Sequence, residues 1–493
     1  MNKKKQNQKR SLLSGIRWTL FQRGSYFLVS TALTIIMARL LTPDDFGLVA
    51  MAAVFTGISA SILDMGLKDA LVREKNPSDE FICTMFWLTI LFSLFIWIIL
   101  IISASAIANL YNEKIVKIII YCLSVNMLFS GVRTIYLAVL EKALDFKNIA
   151  IFELLSRVVS GSVGIFMGVF GFGVWSLVTM TILNECLVTL ILIIKVKWKP
   201  SIRFNIKHAK AVYRFGLYLT LTQFLDHTQR RLEVFIVSFF IGTQSSGIYS
   251  QTNILLRQPV KLINGSINAV FFSYFSSTPE KRQTINLYFL KLIQATAILY
   301  LPICIIMILY SEVLVLVILG EKWFEMASIL PFIGITATIL SLHRSNCMLL
   351  KTLGRTDALF KVYCVYLGLT LVGCILGVRY GIQGVAFVMI ICSSLLFVIS
   401  TSVVLHLSKI KISIYLAQIA SPFVYAVASL LAGYLVEAMT VTNLEDSPKL
   451  SATFGLLVSL ACYIGALLLR PLPVCNDFVK LFNVKYIKKA NNI

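Results

Sequence analysis

The sequence predicts an all-α polytopic membrane protein of about fourteen transmembrane helices. Three observations lead there. Of its 493 residues, 58% are hydrophobic and only 14% charged, against roughly 25% charged in an ordinary soluble domain. Apolar runs of about 20 residues, the length that crosses a bilayer as a helix, recur along the whole chain. Basic residues collect in every second connection, as expected of a chain threaded back and forth with its Lys and Arg left inside.

Taken in order, the spanning cores fall at 15–41, 46–64, 81–104, 116–140, 149–169, 173–194, 213–241, 247–275, 286–309, 326–350, 358–378, 382–405, 414–436 and 451–469. A count of twelve is the rival. The N-terminus, MNKKKQNQKR, reads as a cytoplasmic tail and not a cleaved signal. Connections expected inside carry Lys68, Arg73 and Lys75; Lys142 and Lys147; Lys281 and Arg282; Lys351, Arg355 and Lys361; Lys409 and Lys411. The longest, 195–214, holds Lys195, Lys197, Lys199, Arg203, Lys207, Lys210 and Arg214. Connections expected outside are short: TPDD at 42–45, GFG at 171–173, GTQSS at 242–246 and TNLEDSP at 442–448. Both termini are therefore expected in the cytoplasm. The formal net charge of +22 follows from this loop bias and does not call for nucleic acid.

The 195–214 connection divides the chain into halves that resemble each other. ARLLTPDDFGLVA at 38–50 aligns without gaps on SFFIGTQSSGIYS at 238–250, pairing Gly47 with Gly247. Upstream, Gly15, Thr19, Leu20 and Gln22 match Gly216, Thr220, Leu221 and Gln223. Six helices separate the copies, so both enter the membrane from one side. That is a parallel repeat, of the kind that builds two bundles rocking about a central site. The expected domains are 1–200, 201–407, and 408–493 with two extra helices and a basic tail.

Charge inside the apolar segments marks the candidate site. At about 100° per residue, Gln223, Asp226, His227, Arg230 and Glu233 share one face of the seventh segment, beside Arg231. Ionisable groups at membrane depth rarely face lipid, so this face lines either a polar cavity or a helix seam. Asp226 and Glu233 either bind a coupling H⁺ or Na⁺ or only pair with the arginines. Further cations are Arg23, Arg133, Arg157, Arg257 and Lys261; the anions are Glu153, Glu185 and Asp64. The excess of cations suits an anion, and arginine matches phosphate oxygens bidentately, so a diphosphate is the natural ligand. Arg133 and Arg157 have snorkelling as an alternative. The 10 cysteines and 4 histidines form no metal-ligand set, no phosphate-binding glycine loop is present, and no cofactor is expected beyond an ion gradient. Pro259, Pro302, Pro331 and Pro422 are candidate kinks.

Three segments carry a family resemblance: ARLLTPDDFGLVAMA at 38–52; the stretch from Arg230 through FIGTQSSGIYSQTNILLRQPV to 260; and LGEKWFEMASILPFIGI at 319–335 with LKTLGRTDA at 350–358. They resemble the Wzx-type lipid-linked oligosaccharide flippases, in the polysaccharide-transporter branch of the multidrug/oligosaccharidyl-lipid/polysaccharide exporter superfamily, and most of all the colanic-acid-exporter-like members. The chain departs at Glu233, where the family usually has Asp, and at Phe271-Phe272, where it commonly has Phe-Pro. The resemblance implies two pseudo-symmetric six-helix lobes around a central cavity, plus two C-terminal helices. It implies flipping of undecaprenyl-diphosphate-linked repeat units across a bacterial cytoplasmic membrane for surface polysaccharide, coupled to an ion gradient. Partners would be that lipid, the bilayer and polysaccharide polymerase machinery. A peptidoglycan-precursor flippase, a drug/cation antiporter and a membrane polymerase or ligase are the alternatives. A cationic drug would want an anionic cavity, and an enzyme would want larger outside loops.

Overall fold

The structure is a computed structural model that describes residues 2–63, 71, 74, 77–206, 224–225, 227–256, 282–441, 448–469 and 472. Among them there is helix and turn but no strand. The helices are α1 (Asn2–Leu40), α2 (Pro43–Leu63), α3 (Asp79–Tyr111), α4 (Lys114–Lys142), α5 (Phe146–Val169) and α6 (Val174–Lys195). Next come α7, described over 227–240, and α8, described over 243–256. They are followed by α9 (Arg282–Leu309), a short α10 (Ser311–Ile318), α11 (Leu330–Thr352), α12 (Thr356–Gly377), α13 (Gly381–Ser408), α14 (Ile412–Val441) and α15 (Pro448–Leu469). Among the described residues, eight helical stretches, α12 and α13 counting as one, are long and apolar enough to cross a bilayer.

Local chemistry sets many ends. Ser78 caps α3 by accepting from the Phe81 N–H at 3.1 Å, and Asp79 and Glu80 face the positive end of its dipole. The helix stops at Asn112, which takes the left-handed conformation with φ 55°. Asp145 caps α5 through the Asn148 N–H at 3.3 Å. The GFG connection is the tight turn its glycines suggest, with Gly171 at φ 80° and Gly173 at φ 53°.

Two features differ from the sequence expectation. α1 continues back through the basic tail to Asn2, because Lys, Gln and Arg are good helix formers. The region before the tenth core is broken: α10 ends, Gly320 turns the chain at φ 95°, and Glu321–Ser328 forms a 3₁₀ segment that meets α11 at 56°. Pro331 therefore sits in the first turn of α11, where its missing N–H costs nothing, and does not kink it. Trp323, fully buried, anchors the 3₁₀ segment. Pro302 and Pro422 do lie inside α9 and α14.

The chain forms two compact units, Met1–Gln258 with Thr370–Val385, and Pro259–Leu369 with Ala386–Ile493. In the first, α2, α3, α4 and α6 share a core of Met51, Leu63, Ile96, Leu100, Ile119 and Val178. Phe55, Tyr111 and Phe235 meet edge-on, with centroids 6.0–6.1 Å apart, and tie α7 to α2 and α3. In the second, Phe289, Ile293, Leu342, Leu350 and Tyr415 pack α9, α11 and α14, and Tyr463 on α15 donates to the Ile298 carbonyl of α9 at 2.7 Å.

Candidate functional site

The two copies of the repeat touch each other, and they do so reciprocally. A Cβ on Gly47 would overlap the carbonyl oxygen of Thr243 and lie 2.7 Å from its carbonyl carbon. A Cβ on Gly247 would overlap the carbonyl oxygen of Pro43 and lie 2.9 Å from the Gly47 N. In the gapless alignment 47 pairs with 247 and 43 with 243, so each copy does to the other what the other does to it. This is the contact pattern of a local two-fold axis, passing between the first turns of α2 and α8. Only glycine, lacking a Cβ, lets two helix backbones come this close. The strands of chain entering this contact are separately braced. Thr42 directs its N–H and hydroxyl to Asp45 at 3.0 and 2.8 Å, and Ser238 bonds Ser246 at 2.6 Å. Thr243 donates to Glu113 at 3.2 Å.

Below this contact α7 carries its charges. Arg230 and Arg231 are both half-buried. The Arg231 guanidinium fills the space left by Gly57 on α2, where a Cβ would lie 2.8 Å from both Nε and Nη2. No carboxylate pairs with Arg231 among the described residues. Glu233 is 6% exposed. Its Oε1 accepts from Gln229 at 3.2 Å and its Oε2 from Tyr249 at 3.0 Å. The carboxylate thus joins α7 to α8, immediately beyond Gly247, through neutral donors. Nothing in the sequence singled out Tyr249 as that partner, although it falls within the repeat. His227 is exposed. Asp226, Arg257 and Lys261, expected at this site, lie outside the described residues, as does Gln223.

The remaining expected residues line two other seams. On α1, Trp18, Gln22 and Tyr26 are spaced four apart and face α5. The Lys147 ammonium lies 5.7 Å from the Trp18 ring, Gln22 donates to Glu153 at 2.7 Å, and the Arg157 guanidinium lies 5.9 Å from the Tyr26 ring. Farther along, Leu33 packs into the space at Gly161. Arg23 is part of α1, but its side chain lies outside the described part. Arg133 on α4 meets Glu185 on α6, with Nη1 at 3.1 and 3.0 Å from the two carboxylate oxygens. Glu185 was legible as a buried anion, yet its pairing with Arg133 spans 52 positions and no local pattern reveals it.

A polar cluster in the second unit escaped the sequence reading. Asn346 donates to Ser400 and Thr401 at 3.2 and 2.9 Å and accepts from Tyr415 at 3.1 Å. His343 bonds Ser400 at 2.9 Å. All five are buried, and together they peg α11, α13 and α14. On the 350–358 motif, Arg355 makes a two-pronged bond to Asp357 at 3.1 and 3.2 Å. That hydrogen bond, then the carboxylate's charge, holds the exposed guanidinium above its ordinary range.

A multi-pass helical membrane protein whose sequence repeat closes on itself at two glycines is the class defined by this fold. A family model described as polysaccharide biosynthesis protein matches residues 36–328, and the chain belongs to that family. It is 24% identical over 471 residues to the teichuronic acid biosynthesis protein TuaB of Bacillus subtilis (strain 168), covering 92% of this chain and 95% of that one. It is 22% identical over 356 residues to the lipopolysaccharide biosynthesis protein WzxC of Escherichia coli (strain K12), covering 71% of each. Among solved structures, the lipid II flippase MurJ in an inward closed conformation superposes with a TM-score of 0.73 at 17% identity, over 93% of this chain and 99% of that one. An inward-facing multidrug transporter of the MATE family superposes with a TM-score of 0.58 at 12% identity, over 78% of this chain and 96% of that one. The chain shares its fold with these two structures.

Proposed function

We propose that this chain flips polyprenyl-diphosphate-linked oligosaccharide repeat units across a bacterial cytoplasmic membrane for surface polysaccharide synthesis. The observation that carries the reading is its membership, across most of its length, in a family whose relatives are named for building teichuronic acid, succinoglycan and lipopolysaccharide. In this reading fourteen spans form two six-helix lobes and a C-terminal pair, with both termini cytoplasmic. The chain is a transporter and not an enzyme.

The chemistry supports the cargo. A diphosphate needs cations held where water is scarce, and Arg231 is such a cation, enclosed against Gly57 with Arg230 beside it. The donors of a guanidinium match two phosphate oxygens at once. Arg257 and Lys261, which lie outside the described residues, are the further cations that the sequence offers for this role. Arg133 and Arg157 are less suited than their sequence suggested, because Glu185 and the Tyr26 ring already engage them. The reciprocal Gly47/Gly247 contact would close the pathway at one end, and alternating access would part it. Glu233, holding α7 to α8 beside that contact, would be the group whose protonation or ion binding couples to the motion.

The test is a flip assay with purified protein in liposomes, given a fluorescent short-chain polyprenyl-diphosphate oligosaccharide, with and without a pH or Na⁺ gradient. Movement that disappears in Arg230→Ala/Arg231→Ala, with insertion unchanged, supports the docking role. Export of organic cations without movement of diphosphate lipid would overturn the reading. The superposition with a lipid II flippase favours one second reading, a peptidoglycan precursor as cargo. Presenting both lipids to the same vesicles separates the two.

A further inference from the structure

The connection after α6 is fastened to the start of α3 by a line of specific bonds. Val196 is buried in the core formed by Phe86, Tyr136 and Leu192. The Trp198 ring lies edge-on to Phe86 and Tyr136 at 5.7 and 5.5 Å, and its N–H donates to Asp79 at 2.9 Å. Trp87 donates to the Ser201 carbonyl at 2.9 Å, and the Ser201 N–H and hydroxyl meet the Cys83 sulfur at 3.4 and 3.2 Å. The Asn205 N–H donates to the Thr84 hydroxyl and its side chain to Glu80, both at 3.1 Å. Residues 196–205 are thus a strap across the end of the helix bundle, with a tight turn at Ile202 where the Arg203 N–H donates to the Ser201 carbonyl at 2.9 Å.

Around Val196 and Trp198 alternate side chains turn to opposite faces, as in extended chain, so what this part of the strap keeps outside is set by what it puts inside. With Val196 and Trp198 inward, Lys195, Lys197 and Lys199 are exposed, and Arg203 follows them. Between and after these stand Ile202, 95% exposed, Phe204 and Ile206. The stretch 195–206 contains no acid. The two acids beside it, Asp79 and Glu80, are occupied by Trp198 and Asn205. No ion pair to Lys195, Lys197, Lys199 or Arg203 exists among the described residues. The strap therefore presents four exposed cations together with three exposed large apolar side chains, at the end of a membrane helix.

We propose that the outer face of this strap binds anionic phospholipid headgroups. Water alone does not suit three exposed large apolar side chains within five residues. A bilayer boundary does, because the rings and branched chains sit at the acyl edge while the ammonium groups stay among phosphates. Polybasic segments beside a membrane helix concentrate anionic lipid by the same charge complementarity. The strap is rigid on its inner side, so the cations are held in place and the lipid is ordered around them. Lipid binding here is independent of the cargo, since the proposed diphosphate site lies on α7 and this face on the chain that follows α6.

The experiment uses the full chain with a benzophenone amino acid replacing Ile202, reconstituted in vesicles of equal phosphatidylcholine and phosphatidylglycerol. After illumination, the lipid adduct is identified by intact mass. Phosphatidylglycerol adducts are expected to exceed phosphatidylcholine adducts about tenfold or more, since each cation near an anionic surface contributes roughly fivefold. High salt should bring the ratio toward one without any substitution. The variant K195Q/K197Q/K199Q/R203Q, which leaves Trp198 and Asn205 in place, should do the same. Adducts that mirror the vesicle composition in the unaltered strap would overturn the proposal. So would a preference that survives both salt and substitution, or adducts to a polypeptide instead of lipid when illumination is repeated in native membranes.

Discussion

Replacing Gly247 with alanine adds one methyl group at the place where the repeats meet. The new Cβ would sit 2.9 Å from both the Gly47 N and the Pro43 carbonyl carbon, and would overlap the Pro43 oxygen. Ordinary contacts of this kind need at least 3.4 Å. The obstructing atoms are backbone, held in the first turn of α2, so no side chain can swing aside. Overpacking of this kind costs about 1–3 kcal/mol, and the cost applies only while α2 and α8 are in contact. A conformer in which they part escapes it. The closed population should therefore fall by roughly 5- to 150-fold relative to the open one. The measurement is the distance distribution between spin-labelled non-natural amino acids at positions 44 and 244 in reconstituted protein. Gly247→Ala should shrink the short-distance population, and Gly47→Val/Gly247→Val should remove it. Gly24→Ala, whose Cβ meets nothing within 4 Å, is the control. An unchanged distribution in the double valine variant would refute the argument that this contact opens during transport.

Four further outcomes are expected. Arg133→Ala should lower stability by about 2–3 kcal/mol, because it strands Glu185 at 21% exposure without its cation. Thermal unfolding in detergent measures this, and adding Glu185→Gln should recover most of the loss. Glu233→Gln should leave the protein inserted but abolish stimulation of flipping by the gradient; full stimulation would confine Glu233 to packing. Tyr249→Phe should cost about 1–3 kcal/mol by leaving one buried carboxylate oxygen without its donor, read as a lowered unfolding midpoint. Asn346→Leu should cost about as much, since it leaves Tyr415, Ser400 and Thr401 without their shared partner.

The helical class was legible because the signals that specify it are local. A run of apolar residues reports a helix wherever it occurs, and Ser78, Asp145 and the GFG glycines mark ends through bonds or φ angles within four residues. The core expected at 326–350 takes in only the end of the 3₁₀ segment, and the helix Ser311–Ile318 falls in the connection between two expected cores, being too short to register as a span. The candidate site was half legible. Arg231 and Glu233 could be named from the cost of charge in lipid, and Arg133 and Arg157 were named on the same ground. Whether such a cation is available to a ligand depends on its neighbours. The structure gives Arg133 a carboxylate and Arg157 an aromatic face, while Arg231 packs into the space at Gly57 and pairs with no carboxylate among the described residues.

The sequence by itself determined that the chain is a bundle of apolar helices with basic connections, built from a repeat that pairs position 47 with 247. Those properties follow from hydropathy, charge and periodicity, which are carried by each short stretch alone. Only the tertiary structure decided that the paired glycines meet each other, that Tyr249 holds Glu233, and that Trp198 turns three lysines outward. Each of those depends on which surfaces pack together across tens to hundreds of residues. That choice is made by shape and by the need of buried polar groups for partners, and no single segment encodes it.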